Sequence, residues 1–154
     1  MIQSIEAMST QQFPNFRLTT AAVIHDGQGR YLILRRNPER YYGWGLVKGG
    51  VELGEDALEA IIREIAEEIG VVVTAQQVIP LHHKSAYYDN GNDRVILVEW
   101  FMVQLQPNIP ITLQQEEWVE YRWATLAETL YQLAWQTQQR ALKIAAEQLT
   151  AAPQ

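Results

Sequence analysis

Gly49-Gly50-Val51-Glu52-Leu53-Gly54-Glu55-Asp56, running on through Arg63-Glu64-Ile65-Ala66-Glu67-Glu68-Ile69-Gly70-Val71, is the stretch on which the reading of this chain turns. It concentrates carboxylates where a helix ordinarily avoids them. Glu55, Asp56, Glu59, Glu64, Glu67 and Glu68 lie close together, with Arg63 the single cation among them. At about 100° per residue, Glu64, Glu67 and Glu68 project from one side of a helix. Leu58, Ile61, Ile62, Ile65 and Ile69 fall on the opposite side, the i, i+3, i+4 stripe of a helix packed on a core. Glu64 and Glu68 are then i, i+4 neighbours of like charge, a pair that costs roughly 0.2–0.5 kcal/mol. A hard divalent cation removes that repulsion, because Mg²⁺ and Mn²⁺ prefer carboxylate and phosphate oxygens. The competing reading is an ordinary amphipathic helix with a solvated acidic face.

Spacing separates the two. Gly49, five residues, Glu55, seven residues, Arg63-Glu64, an aliphatic residue at 65, Glu67-Glu68, Gly70 and Val71 together resemble the full signature of the Nudix hydrolases. That resemblance implies a loop–helix–loop that binds divalent metal (Mg²⁺ or Mn²⁺) and cleaves a diphosphate linkage. Such a bond resists hydrolysis because its oxygens repel the nucleophile. Metal ions neutralise those oxygens, lower the pKa of a bound water and stabilise the leaving group. Glu64, Glu67 and Glu68 match the family's metal-binding glutamates, and Glu67 or Glu68 also orients or deprotonates the water. Gly49 is grouped with the metal site. Arg63 is expected to pair with Glu55 and lock the loop to the helix, and Gly70 closes the motif. Gly49, Gly50 and Gly54 are expected to allow positive φ and close approach of backbone to phosphate. Glu52 falls where many family members carry a Glu, with a solvated loop charge as its bland alternative.

Working outward, 154 residues of which 47% are hydrophobic suit one domain. The expected organisation is a loosely ordered segment over 1–15 and a single domain over 16–150. No run of 18 or more apolar residues is present, so nothing is expected to span a membrane. Met-Ile-Gln-Ser-Ile-Glu-Ala lacks a basic start followed by an apolar run, so no secretory signal is expected and the cytoplasm is the default location. The absence of cysteine excludes disulfides, thiolate metal sites and cysteine nucleophiles. A net charge of −6 argues against an extended nucleic-acid surface. It suits a small anionic nucleotide where metal and local cations screen the site.

Arg17 to His25 reads as a strand, 26–29 as a turn and Tyr31 to Arg35 as the returning strand. Residues 37–48 read as a loop with Trp44 packed beneath it. The helix starts near Asp56, a plausible N-cap, and stops at Gly70. Val71 to Val73 and Val78 to Leu81 are short strand candidates. His82 to Tyr88 and Arg94 to Leu105 form a hairpin whose turn signal is Asn90-Gly91. Trp118 to Trp123 is a further strand, and Thr125 to Tyr131 and Gln136 to Leu149 are helices. Mixed strands with a central and a C-terminal helix give an α+β, sandwich-like domain. The resemblance implies the same: a Nudix-type α/β/α sandwich with a mixed central sheet.

Other residues are expected to meet the substrate. Lys48, just before the motif glycine, is a phosphate contact. Arg35 and Arg36 alternate around a strand, so at most one faces the site; Arg35 is the choice. Gly50 and Glu52 join this set. Tyr87, Tyr88 and Trp44 are candidates to stack on a base, with core packing as the alternative. His82, His83 and Lys84 lack metal-ligand spacing. Glu117-Trp118-Val119-Glu120-Tyr121-Arg122-Trp123 resembles the C-terminal part of diadenosine-tetraphosphate hydrolases, which points to Glu117 as a fourth carboxylate or base. Lys48-Gly49 resembles that group's Pro-Lys-Gly, with Val47 in place of the proline. The function implied is metal-dependent hydrolysis of phosphoanhydride bonds in nucleoside diphosphate-linked compounds, dinucleoside polyphosphates among them. Nucleoside triphosphates, nucleotide sugars and RNA 5′ ends are alternative substrates. A non-catalytic nucleotide-sensing module is the alternative of another class. Homodimerisation, common among relatives, is left open.

Overall fold

Residues 20–25 are buried without a break, although strands that face solvent on one side alternate. The computed structural model, which describes residues 15–151, shows why. The expected loose segment over 1–15 lies, apart from Asn15, outside the described residues. Strand β1 (Phe16–His25) runs parallel to β6 (Arg94–Gln104) and antiparallel to β4 (Val47–Gly50), so it sits inside the sheet and is covered on both faces. Strand β2 (Arg30–Arg36) meets β1 only at His25–Tyr31 and then pairs with β3 (Trp44–Gly45) and β7 (Trp118–Thr125). Strand β5 (Val78–Asp89) pairs antiparallel with β6 and completes a seven-stranded mixed sheet.

Helix α1 (Ala57–Ile69) covers one face. Its Ile61, Ile65 and Ile69 pack with Ala22, Ile24, Leu32, Leu34 and Val103. Helix α3 (Gln136–Ala151) covers the other, setting Ala141, Leu142 and Ala145 against Ala21, Val23, Ile33 and Trp100. Between β7 and α3, the short α2 (Leu126–Gln132) starts from Thr125, whose capping box with Glu128 satisfies both ends of the turn. Odd and even residues of β1 thus serve opposite layers, the period-2 rule at work. The result is an α/β/α sandwich, as expected.

Several local expectations need correction. Residues 37–48 are not all loop: β3 and the start of β4 lie within them, because β4 fills the pairing edge of β1 that β2 leaves open. Val71 to Val73 is not a strand. Val71 and Val73 point inward and Val72 outward, the alternation of a strand, but among the described residues this segment pairs with no other. The two segments expected at 78–81 and 82–88 form one strand, interrupted by an irregularity between Pro80 and Lys84 where His82 takes φ 54°. At the β5–β6 turn the left-handed residue is Asp93 (φ 48°), not Gly91.

Candidate active site

Both ends of α1 are set by local chemistry. The Asp56 side chain accepts the Glu59 amide at 2.7 Å, and Gly70, at φ 69°, donates its own to the Ala66 carbonyl. Turn 112–114 then covers the end of the helix: the Thr112 and Gln114 amides donate to the Ile69 and Glu68 carbonyls.

Arg63 organises the loop. Its Nε and Nη2 clamp the two Glu55 oxygens at 3.1 and 2.6 Å, and Nη2 also donates to the Gly50 carbonyl at 2.9 Å. This is the expected lock of loop to helix. The guanidinium holds the Glu55 carboxyl below its usual range. Arg63 reaches further than expected: Nη1 donates to Glu64 at 2.8 Å and to Glu67 at 3.1 Å, with Glu52 at 3.7 Å. One cation therefore serves four carboxylates. Glu52 itself is exposed, and its amide donates to Glu55 at 2.8 Å.

The three motif acids do not share one solvated face. Glu67 is half exposed, Glu64 is mostly buried and Glu68 is only 4% exposed. On a helical wheel Glu68 falls about 20° from Ile61, so it travels inward with the core stripe. Its Oε2 accepts the Lys48 amide at 3.2 Å on the edge of β4. Burial, with the charge of Glu64 next, pushes its pKa up to about 9; Glu117 adds to the rise, and the Trp118 indole opposes it. Burial also raises Glu64, against the pull of Arg63. Among the described residues no three acids stand close enough to hold an ion as they are, because Arg63 draws Glu64 and Glu67 to itself.

Gly49 and Gly50 lie in β4 and take no positive φ; of the three loop glycines only Gly54 does, at 88°. What position 49 requires is room. A Cβ there would stand inside the Glu64 carboxylate, and one on Gly50 inside the Arg17 guanidinium. The two clashes lie on opposite faces of β4. Glu64 is on the α1 side; Arg17 is on the side of Lys48, whose Nζ donates to the Tyr87 hydroxyl at 3.0 Å. Lys48 and Tyr87, separate in sequence, are thus brought together.

The family model for the NUDIX domain matches residues 15–146. This chain is a Nudix hydrolase. It is 28% identical over 128 residues to an RNA pyrophosphohydrolase of Dinoroseobacter shibae, covering 75% of this chain and 80% of that one. Its fold is similar to that of a C. elegans Ap4A hydrolase, with a TM-score of 0.75 at 20% identity over 88% of this chain and 99% of that one. It is similar also to the NUDIX domain of Shewanella oneidensis NrtR complexed with ADP ribose, with a TM-score of 0.72 at 18% identity over 93% and 94%. No helix among the described residues is long and apolar enough to cross a membrane.

The remaining expected residues of this Nudix hydrolase are more scattered. Glu117 forms an ion pair with Arg40 at 2.6 Å, yet lies near enough to Glu68 to raise its pKa. Arg35 is tied to Glu120 across the β2–β7 pair at 2.9 Å. Arg36, the other member of that pair of arginines, stacks on the ring of Trp118 at 5.0 Å. Trp44 is half-buried beneath Arg122, 4.9 Å from its ring, and Tyr88 is exposed. Sequence reasoning missed Arg17, Arg40 and Trp118. Parity with Ala21 places Arg17 on the Lys48 face, a signal readable once β1 and β4 are known to pair; Arg40 and Trp118 carried none.

Proposed function

We propose that this Nudix hydrolase cleaves a phosphoanhydride bond in nucleoside diphosphate-linked compounds, dinucleoside polyphosphates among them, with Mg²⁺ or Mn²⁺. The observation that carries the reading is the pair Glu64–Glu68 at the edge of β4. Two largely buried carboxylates face a backbone from which side chains are excluded, and one shared arginine does not balance them. Hard oxygen donors with an excess of negative charge fit a hard divalent cation. Glu64, Glu67 and Glu68 would hold it, with Glu117 alongside. When bound, it supplies charge neutralisation at the phosphate oxygens and an acidified water.

The chain's own groups do the rest. Glu67 or Glu68 accepts the proton of the attacking water. Lys48 and Arg17 meet the negative charge of the substrate on the far face of β4, and Tyr87 holds the Lys48 ammonium toward it. Arg63 and Glu55 keep the loop and α1 in register, so the acids stay aimed at Gly49. The named relatives support this chemistry: one hydrolyses Ap4A and another binds ADP ribose. An RNA 5′ end is the second reading, favoured by the relatives named RNA pyrophosphohydrolase. Location in the cytoplasm and a single domain over 16–150 belong to the same proposal.

A substrate panel with each metal, run in ¹⁸O-labelled water, tests it. The expected result is metal-dependent release of a nucleoside phosphate, with the label marking the phosphorus attacked. Glu67→Gln and Glu68→Gln should each lower turnover by at least ~10²-fold while leaving the fold intact. Near wild-type rates in both variants would overturn the role assignment. Tight nucleotide binding without any turnover would favour the sensing module instead.

A further inference from the structure

We infer that the loop 37–43 is a second nucleoside site, in which the Tyr42 ring stacks on a base and Arg40 meets the phosphate beside it. The inference rests on the substrate proposed above and narrows it to compounds with a nucleoside at each end of the phosphate chain. Tyr42 is 89% exposed and its neighbour Tyr41 62%. Single apolar residues at a surface are ordinary. Two consecutive aromatic rings beside an arginine, on a loop of fixed shape, are the combination that holds bases and phosphates. Among the described residues Arg40 makes one ion pair, to Glu117 at 2.6 Å, and half of its side chain lies in water. Its remaining guanidinium donors are available to an anion.

Asn37 builds the loop. Its carbonyl accepts the Arg40 and Tyr41 amides, each at 3.0 Å, and its side-chain oxygen accepts the Glu39 amide at 3.1 Å. Its own amide donates to the Glu117 carbonyl at 2.9 Å, and its side-chain nitrogen to the Gln115 carbonyl at 3.1 Å. The Arg36 amide closes the base of the loop on the Gly43 carbonyl at 2.9 Å, with Gly43 at φ 91°. Tyr41 lies against the Arg36 guanidinium, 5.7 Å from its ring, and that guanidinium is 5.0 Å from the ring of Trp118. These bonds hold Tyr42 out in water, so core packing does not account for it.

The loop stands beside the acids. Glu117 and Trp118 donate their amides to the Gln114 carbonyl, and Gln114 donates its own to the Glu68 carbonyl at 2.9 Å. Trp118 packs in the core on the α1 side of the sheet, whereas Tyr87, bonded to Lys48, packs on the α3 side. Between the two runs the edge of β4 at Gly49 and Gly50, which carries no side chains. A phosphate chain crossing there leaves a nucleoside on each side.

Diadenosine tetraphosphate and adenosine 5′-tetraphosphate differ only in the second adenosine. Calorimetric titration of their methylene-bridged, non-cleavable analogues in Mg²⁺ tests the inference. In wild type the diadenosine compound should bind roughly fivefold or more tightly, the scale of one base–aromatic stack. Tyr42→Ala should abolish that advantage, and Tyr42→Phe, which keeps the ring, should retain it. Arg40→Gln should weaken both compounds, because both keep the phosphates. With the cleavable compounds, Tyr42→Ala should raise KM for the diadenosine compound alone and leave its kcat in place. Equal binding of the two analogues in wild type, or an advantage that survives Tyr42→Ala, would overturn the inference. So would a Tyr42-dependent advantage confined to a 5′-triphosphorylated RNA dinucleotide. Absent turnover in wild type, with the binding advantage intact, would count against the proposed hydrolase reaction and leave the site standing.

Discussion

The Glu64 carboxylate occupies the space in which a side chain at Gly49 would stand. Helix and strand approach so closely there that the carboxylate can lie along the backbone of β4. The glycine at the head of the motif is therefore a matter of volume rather than of backbone dihedral angle.

Gly49→Ala should accordingly displace the end of a flexible side chain, not the main chain. We expect a folded protein whose metal-dependent turnover falls by at least ~10-fold, the lower range for a misplaced catalytic group. Adding Glu64→Ala should lower it little further, because both changes remove the same carboxylate from the same place. Steady-state kinetics on the two single variants and the double variant decide this; fully additive losses would refute it.

Glu55→Gln leaves Arg63 without its two-pronged partner at 3.1 and 2.6 Å. A charge-assisted bond of this kind contributes about 1.5–3 kcal/mol, and urea unfolding should show a loss on that scale. Arg63→Lys in an otherwise wild-type protein should also lose stability, since an ammonium cannot match both oxygens. Equal stability of Glu55→Gln and wild type would show the lock to be dispensable.

Glu68 carries a pH signature. Its pKa rises from an ordinary 4.5 to about 9 in the metal-free fold, so between those values the native state holds a proton that the unfolded chain has released. Stability must then fall as pH rises from about 4.5 towards about 9. Melting temperatures in chelator should decline across that range, and Glu68→Gln should flatten the slope. Mg²⁺ should stabilise most at the alkaline end, where the carboxylate is ready to bind it. A flat profile in the wild-type protein would contradict the burial argument.

Ile65 is fully buried against the sheet, whereas Leu58 is only half-buried at the start of α1. Ile65→Ala should cost about 2–5 kcal/mol. Leu58→Ala, reading from the sequence as an equal member of the apolar stripe, should cost roughly 1–2 kcal/mol, in proportion to the area it hides. Chemical denaturation of both variants checks the ranking.

What the amino-acid sequence determined alone was local. The pairing of Arg63 with Glu55 was implied by the resemblance of the motif, whereas the span of α1 from its Asp56 cap to Gly70 and the alternating strands follow from contacts within about one or two turns of chain. Those depend on periodicity and capping, which are written in consecutive residues. Only the tertiary structure decided that Glu68 is buried, that Lys48 meets Tyr87 and that Glu117 is held by Arg40. Each of these joins segments 20 to 77 positions apart or depends on which strands pair and in what register, apart from the inward turn of Glu68. Its carboxylate sits at the boundary of the apolar stripe, and whether such a boundary residue faces water or the interior is settled by what packs over it, here β4 and the turn at 114–118.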